Sequence, residues 1–261
     1  MRLSPQQKIH YSLRIAIAMC FIGHGAFGII TKPIWCNYFA VFGIGHDLAY
    51  RLMPLVGTFD IILGLVMLFY PIRAIAGWLL IWGIATALLR PLSGEPFTEF
   101  MERAGNFGAP LAFLTLYGGA VKYIKYWFAK VHSYSAIDAE KYKQVIYLLR
   151  AIVFFLFLGH GWLNIIGKAS LLNEYTALGF INPSLTAQFI GIFEIIAAFA
   201  VLIRPIRSVV FGLLIWKMVS EFFYPHYELF EWIERGGSYG VLLALWFALR
   251  RKAAINFKLA I

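Results

Sequence analysis

The sequence predicts an all-α integral membrane protein with eight transmembrane helices, arranged as two tandem parallel four-helix bundles. Composition is the first reason, because 61% of the 261 residues are hydrophobic and 14% are charged, whereas soluble domains are about 45–50% apolar. The second reason is the length of the apolar segments, several of which exceed the roughly 20 residues that cross a bilayer. The third is an internal repeat that divides the chain into two similar halves.

The motifs of the first half recur in the second half in the same order. Gly-His-Gly around His24 recurs 136 residues later around His160, and GTFD, which ends at Asp60, recurs as GIFE, which ends at Glu194. The tripeptide PIR also occurs once in each half, and ERAGNFG, which starts at Glu102, recurs as ERGGSYG. Shared motifs in a shared order indicate the duplication of one helical unit.

Each half contains four apolar segments that are predicted to be helices. Pro71 lies between the second and third of them, and proline cannot donate a helical hydrogen bond, so these two helices form a tight antiparallel hairpin. Four crossings return the chain to its starting side, so the halves are parallel copies about an axis along the membrane normal. The predicted helices cover residues 12–31, 54–70, 73–90, 105–123, 146–168, 185–203, 207–224 and 237–250.

The two halves, residues 1–128 and 144–261, are joined by a polar linker at 129–143. Eight crossings place 16 of the 23 lysines and arginines on the side of the N-terminus. The positive-inside bias then predicts cytoplasmic N- and C-termini in a bacterial inner membrane. The first apolar segment has no cleavage site and is expected to remain in the mature protein. The basic residues are scattered at helix ends, which disfavours nucleic-acid binding.

Ionisable side chains inside the predicted membrane region are the candidate functional groups. His24 lies ten residues beyond Arg14, which is about 15 Å along a helix. The glycines beside each histidine allow another helix to approach closely. We therefore expect His24 to pair with Asp60, and His160 with Glu194. Unpaired charges within a membrane are costly and often functional, but such pairs can also serve only to fix helix packing.

The second half carries more charge than the first. Lys217 and Glu221 lie four residues apart on one helical face where the first half has Gly83 and Ala87, so the second half is favoured if only one copy is active. A single outward-opening cavity in this half is expected to be lined by His160, Glu194, Lys217, Glu221 and Glu234. The corresponding residues of the first half are His24, Asp60 and Glu102.

The four-helix unit resembles the DoxX/DoxD-like membrane protein family. The resemblance rests on Gly-His-Gly, the GTFD and GIFE motifs, the PIR hairpin and the Glu-Arg motif before the fourth helix, and it covers nearly the whole chain. It implies redox chemistry with a membrane quinone. The sequence has no nucleotide-binding fingerprint and no Cys-x-x-Cys motif, so a flavin or metal would belong to a partner protein.

Three functional hypotheses remain open at this point. The first is a quinone-interacting oxidoreductase subunit, with a soluble or membrane redox partner, in which a histidine–carboxylate pair exchanges protons with the ligand. The second is a non-enzymatic scaffold or accessory subunit, and the third is a small-molecule carrier. No metal site is predicted. Bis-histidine haem ligation is disfavoured because each half supplies one buried histidine, and the two would meet only at the seam between the halves.

Overall fold

Every secondary-structure element that the structure describes is helical, which confirms the predicted all-α class. The computed structural model describes residues 3–118, 122–133, 139–223 and 229–249. Part of the predicted linker and the C-terminal residues lie outside these ranges. The α-helices are α1 (Pro5–Ile29), α2 (Trp35–Ala40), α3 (His46–Phe69), α4 (Arg73–Leu92), α5 (Thr98–Glu102), α6 (Ala104–Leu116), α7 (Ala139–Ile165), α8 (Ala169–Ala177), α9 (Pro183–Ile203), α10 (Arg207–Ser220), α11 (Leu229–Glu234) and α12 (Gly236–Ala248).

Five of the described helices are long and apolar enough to cross a membrane, namely α1, α3, α4, α7 and α9. Helices α6 and α12 are apolar but shorter. The outer faces of α3 and α9 expose large hydrophobic side chains, such as Leu55 and Ile62 on α3 and Phe189 and Ile196 on α9. Exposed apolar surface of this extent is rare on soluble monomers, and it fits a lipid bilayer as the surrounding solvent.

Local sequence signals set the helix ends. At the start of α1 the hydroxyl of Ser4 accepts from the backbone N–H of Gln7, and the side chain of Gln7 accepts from the backbone of Ser4. This capping box satisfies two of the free N–H groups at a helix start. Helix α3 ends just before Pro71 and α4 begins at Arg73, as the hairpin prediction requires.

The structure differs from the sequence prediction at four short helices, α2, α5, α8 and α11, which were not predicted. The fourth predicted helix of each half starts within one residue of α6 or α12, whereas α5 and α11 precede these helices and are separated from them at Arg103 and Arg235. At each break a backbone N–H, of Asn106 or Ser238, donates to the arginine carbonyl oxygen at 2.9 Å. Because α5 and α11 contain several charged residues, a prediction based on apolar segments did not identify them as helices.

The two halves pack against each other through their central helices. Helix α1 contacts α12 and α11 of the second half, and α7 contacts α5 and α6 of the first. The crossing of α6 and α12 is close, because a Cβ atom added to Gly105 would lie 2.7 Å from the backbone nitrogen of Ser238. The core is therefore shared between the halves, and α5 and α11 each lie on the first long helix of the opposite half.

Polar contacts link the chain segments at the end of the molecule that carries the N-terminus. The N–H of Val131 donates to the carbonyl of Pro71 at 2.8 Å. The guanidinium of Arg73 donates to the carbonyl of Tyr117 at 3.2 Å, and the phenol of Tyr117 lies 2.5 Å from Nδ1 of His10. These contacts hold the α3–α4 turn, the end of α6 and the N-terminal helix together. The candidate site lies at the opposite end.

Candidate functional site

The two predicted histidine–carboxylate pairs are present. Nδ1 of His24 lies 2.7 Å from Oδ2 of Asp60, and Nδ1 of His160 lies 2.5 Å from Oε2 of Glu194. A carboxylate can only accept a hydrogen bond, so the proton of each neutral imidazole lies on Nδ1. Nε2 of each ring has no hydrogen-bond partner among the described residues and is available to a ligand.

The carboxylates of the two pairs are held differently. Oε1 of Glu194 accepts a hydrogen bond from the indole of Trp216 at 2.9 Å. The corresponding atoms of the first half, Oδ1 of Asp60 and Nε1 of Trp82, are both buried without a partner in the described structure. Aspartate is one methylene shorter than glutamate, so its second oxygen does not reach as far toward the indole.

The first glycine of each Gly-His-Gly motif admits backbone from the opposite half. A Cβ atom on Gly23 would collide with the backbone nitrogen of Glu234, and one on Gly159 would collide with the backbone nitrogen of Glu102. Because glycine has no side chain, α11 can lie directly on α1, and α5 directly on α7. Each histidine is thereby placed beside an acidic residue of the other half.

The second glycine of each motif admits the helix that carries the carboxylate partner. A Cβ atom on Gly25 would lie 2.5 Å from the carbonyl oxygen of Gly57 in α3, and one on Gly161 would lie 2.9 Å from that of Gly191 in α9. Close contact between small residues is a common means of helix packing in membranes. Each Gly-His-Gly motif therefore packs against its own half on one side and the opposite half on the other.

Ion pairs also cross between the halves. Lys32 lies 2.5 Å from Oε1 of Glu231 in the second half, and Lys168 contacts Oε1 of Glu99 in the first half. Glu99 is fully buried and also accepts from Arg103 at 2.6 Å.

One large cavity, with a volume of about 540 Å³, lies between the halves. Its walls combine aromatic residues with the charged breaks before α6 and α12. The imidazole of His24 packs against Trp35 with ring centroids 4.7 Å apart. Charged side chains such as those of Arg90, Arg103 and Lys168 also line it, so the cavity offers a small molecule both aromatic surfaces and many polar groups. Residues of the lining include His24, Trp35, Tyr38, Trp82, His160 and Glu234.

The predicted site residues fall into three positions around this cavity. Asp60 and Glu194 are fully buried behind the two histidines. Lys217 and Glu221 are buried as an ion pair, with Nζ 2.5 Å from Oε1. Those that line the cavity itself are His24, Glu102, His160 and Glu234.

The prediction that one cavity of the second half collects five residues was wrong. Glu194 and Lys217 line neither described cavity, and Glu234 lies beside the histidine of the first half. The physical reason is the exchange of α5 and α11, which moves each Glu-Arg motif onto the opposite half. A prediction that treated each half as a separate bundle could not place these acids.

A smaller cavity of about 200 Å³ adjoins the second half and is lined by His160, Glu174, Trp216 and Glu221. Glu174, in α8, lines both cavities and has no ion-pair or hydrogen-bond partner among the described residues. Burial, together with the nearby Glu221 carboxylate, raises the pKa of Glu174 to about 7. This carboxyl group is therefore poised to exchange a proton near neutral pH.

Several residues of the site were missed by sequence reasoning. Glu99 and Glu231 occupy corresponding positions, 132 residues apart, in the repeat, and this correspondence could have identified them. Tyr175, which donates to Asn164 at 2.6 Å, and Glu174 lie in α8, which has no strong motif. Their roles depend on the path of a connecting segment, which local sequence does not determine.

Three ligand atoms, from Glu102, His160 and Glu221, lie within 4.8 Å of one another. Their charges are already balanced, because Arg235 contacts both carboxylates and Lys217 contacts Glu221. A divalent cation would have to bind beside these two cations, at a large electrostatic cost. The cluster is better described as an ion-pair network than as a metal centre.

No family model, curated protein or solved structure matches this chain. The resemblance to the DoxX/DoxD-like family therefore stays a prediction. The function must be argued from the geometry of the cavity.

Proposed function

We propose that the chain is an integral membrane redox protein that binds a quinone in the cavity between its halves. The observation that carries this proposal is the convergence of two carboxylate-bound imidazoles, those of His24 and His160, on one aromatic-walled cavity. A quinone needs an apolar, aromatic environment for its ring. It also needs proton donors or acceptors at its ring oxygens.

The chemistry assigned to the protein is proton exchange. Oxidation of a hydroquinone releases two protons and two electrons, and reduction of the quinone takes them up. Nε2 of a histidine whose Nδ1 is held by a carboxylate can accept or return a proton at a fixed position. Electrons would be exchanged with a redox partner protein that carries a flavin or metal.

The same proposal includes eight membrane crossings in two parallel halves. In addition to the five long helices, α10 and the combined segments α5–α6 and α11–α12 would each complete a crossing. Contacts that recur in both halves support this arrangement, namely the two histidine–carboxylate pairs and the two exchanged ion pairs of Lys32 and Lys168. The cavity would then open toward the outer side of a bacterial inner membrane, opposite cytoplasmic termini.

Orientation can be tested with single-cysteine labelling. Cys20 and Cys36 are buried and would be replaced first by serine or alanine. One cysteine would then be introduced at each end of the molecule, as Phe97→Cys at the cavity end or Ile124→Cys at the opposite end. Both wild-type side chains are well exposed. An impermeant maleimide applied to intact cells is expected to label the cysteine at position 97 and to spare that at 124. The reverse pattern would contradict the proposed topology.

Ligand binding can be tested on the purified full-length protein. Solvent extraction and absorption spectroscopy are expected to recover a quinone that copurifies with the wild type and is depleted in a His24→Ala, His160→Ala variant. Added short-chain quinone should quench tryptophan fluorescence, because Trp35 and Trp82 line the cavity. A protein that carries no quinone and binds none on titration would refute the proposed function.

The scaffold hypothesis has one specific observation in its favour. The charges around His160 are mutually paired, with Lys217, Glu221, Arg235 and Glu102 in one connected network that spans both halves. A purely structural protein would need such pairing and nothing more. Normal stability with loss of quinone binding in the double histidine variant would argue against this hypothesis.

A further inference from the structure

The two halves of the cavity differ in how their acidic residues are held. Oε1 of Glu102 accepts from Arg235 at 2.7 Å, and its Oε2 accepts from Arg103 at 2.9 Å. Glu234 is the counterpart of Glu102, yet it forms no ion pair or hydrogen bond with any described residue. Glu102 is therefore fixed by the protein, whereas Glu234 presents an unpaired carboxylate to the cavity.

The cause of this asymmetry is the Lys217–Glu221 pair, which exists only in the second half. Oε2 of Glu221 lies 3.5 Å from Nε of Arg235, and Glu221 together with Glu102 holds that guanidinium on the side of His160. The first half has Gly83 and Ala87 at the corresponding positions and attracts no arginine. Arg103 and Arg235 therefore both contact Glu102.

Glu234 and His24 form the open half of the cavity. The backbone of Glu234 lies against Gly23, next to His24. The Glu234 carboxylate can only accept hydrogen bonds, and Nε2 of the neutral His24 imidazole is a second acceptor.

On the basis of the function proposed above, we propose that the His24–Glu234 half of the cavity, rather than the His160–Glu102 half, binds a hydroxyl group of a hydroquinone. Either acceptor can bind a hydroxyl donor of the reduced ring, whereas an oxidised quinone offers only carbonyl acceptors. Aromatic residues beside them, Trp35 and Trp82, provide surfaces for the ring.

The half that was favoured from the sequence, because of its greater charge, is the one in which the charges neutralise one another. A charged group that already forms an ion pair within the protein interacts only weakly with a ligand.

The test uses the full-length protein in detergent and three forms of one probe, a benzoquinone with a short alkyl tail. These are the hydroquinone, the oxidised quinone and the hydroquinone dimethyl ether, which keeps the ring but has no donor. The wild type is expected to bind the hydroquinone about tenfold or more tightly than the ether, which corresponds to the loss of about one hydrogen bond.

Two matched variants locate the interaction. Glu234→Gln is expected to weaken this preference, because a neutral amide oxygen is a poorer acceptor than a carboxylate, while binding of the ether stays unchanged. Glu174→Gln is the control, because Glu174 is also an unpaired carboxylate of the cavity but belongs to the other half. It should leave the preference intact.

Each contrary result has a distinct meaning. Equal binding of hydroquinone and ether by the wild type overturns the inference even if Glu234→Gln does not fold. If Glu174→Gln loses the preference for the hydroquinone and Glu234→Gln keeps it, the ligand binds in the His160 half of the cavity. This result also overturns the inference. If the wild type binds an aromatic ammonium of the same size more tightly than the hydroquinone, the inference is also overturned. If no ring binds at all, the proposed function itself fails, and this inference with it.

Discussion

A difference of one methylene separates the two histidine–carboxylate pairs. Glu194 accepts from both His160 and Trp216, whereas Asp60 accepts from His24 and leaves one oxygen buried without a partner. A buried polar group without a hydrogen bond costs about 1–3 kcal/mol. The unpaired oxygen of Asp60 therefore destabilises the first half, whereas the corresponding oxygen of Glu194 in the second half is hydrogen-bonded.

Lengthening this carboxylate should stabilise the protein. In Asp60→Glu the second oxygen is expected to reach the indole of Trp82, with a gain of about 1 kcal/mol and a higher Tm by thermal melting in detergent. Glu194→Asp should lower the Tm by a similar amount. Trp82→Phe in the Asp60→Glu background is the control and should cancel the gain. An Asp60→Glu variant that melts below the wild type would contradict the proposed equivalence of the two pairs.

Glu174 should make stability depend on pH. Its pKa in the folded protein is raised to about 7 from its ordinary value of 4.5, so the folded state binds the proton more tightly than the unfolded state. The stabilisation by this proton is fully present below the unfolded pKa and is lost as the pH rises through about 7. Between about pH 5 and about pH 8, the Tm of Glu174→Gln should fall less than that of the wild type. Parallel Tm profiles for the two proteins would show that Glu174 does not titrate in this range.

At the scale of the helices, glycine determines which elements can meet. Gly23 and Gly159 lie where the backbone of an exchanged helix approaches, whereas Gly212 in α10 has no atom within 4 Å of an added Cβ. The same substitution should therefore have opposite effects at these positions.

Gly23→Ala and Gly159→Ala are expected to destabilise the protein strongly, because the clash is with backbone that cannot move aside. We expect a cost of several kcal/mol, at or above the range of about 1–3 kcal/mol for overpacking, with reduced yield of folded protein. Gly212→Ala, the matched control, should be neutral or stabilising by up to about 1 kcal/mol, since alanine favours a helix. Wild-type yield and Tm for both Gly23→Ala and Gly159→Ala would refute the role assigned to the motif.

Much of the helix content could be predicted from sequence because apolar segments and proline mark it directly. The His24–Asp60 and His160–Glu194 contacts were also predictable and are confirmed, because each joins two helices that the repeat marks in both halves. The exchange of α5 and α11 was not predictable. It depends on contacts between residues more than 50 positions apart, such as Lys168 with Glu99, and periodicity within one helix carries no information about them.

At the scale of the whole molecule, each half depends on the other for ion-pair partners and for packing contacts. Residues 3–118 alone would leave the Glu99 carboxylate without Lys168 and the packing face of α1 without α12. The loss of one cation from a buried ion-pair network and an uncovered helix face both destabilise a fold.

The halves should therefore be stable only together. When residues 1–133 and 139–261 are expressed as separate chains, each alone is expected to be degraded or to aggregate. When they are coexpressed, they should copurify as a complex that binds the same ligand as the intact protein. Size-exclusion chromatography and thermal melting measure both outcomes. A first half that is monomeric, folded and stable by itself would contradict the shared core.

The packing of α5 on α7 and of α11 on α1 also determines whether the two half-sites can carry different residues. A chain with one copy of the repeat could surround its histidine with the opposite acid only by pairing with a second, identical chain, and both half-sites would then carry the same residues. Covalent fusion removes that restriction. Lys217 and Glu221 can be present once, draw Arg235 to one side and leave Glu234 unpaired on the other. Duplication followed by divergence thus allows one half-site to stabilise the assembly while its twin is released to bind a ligand.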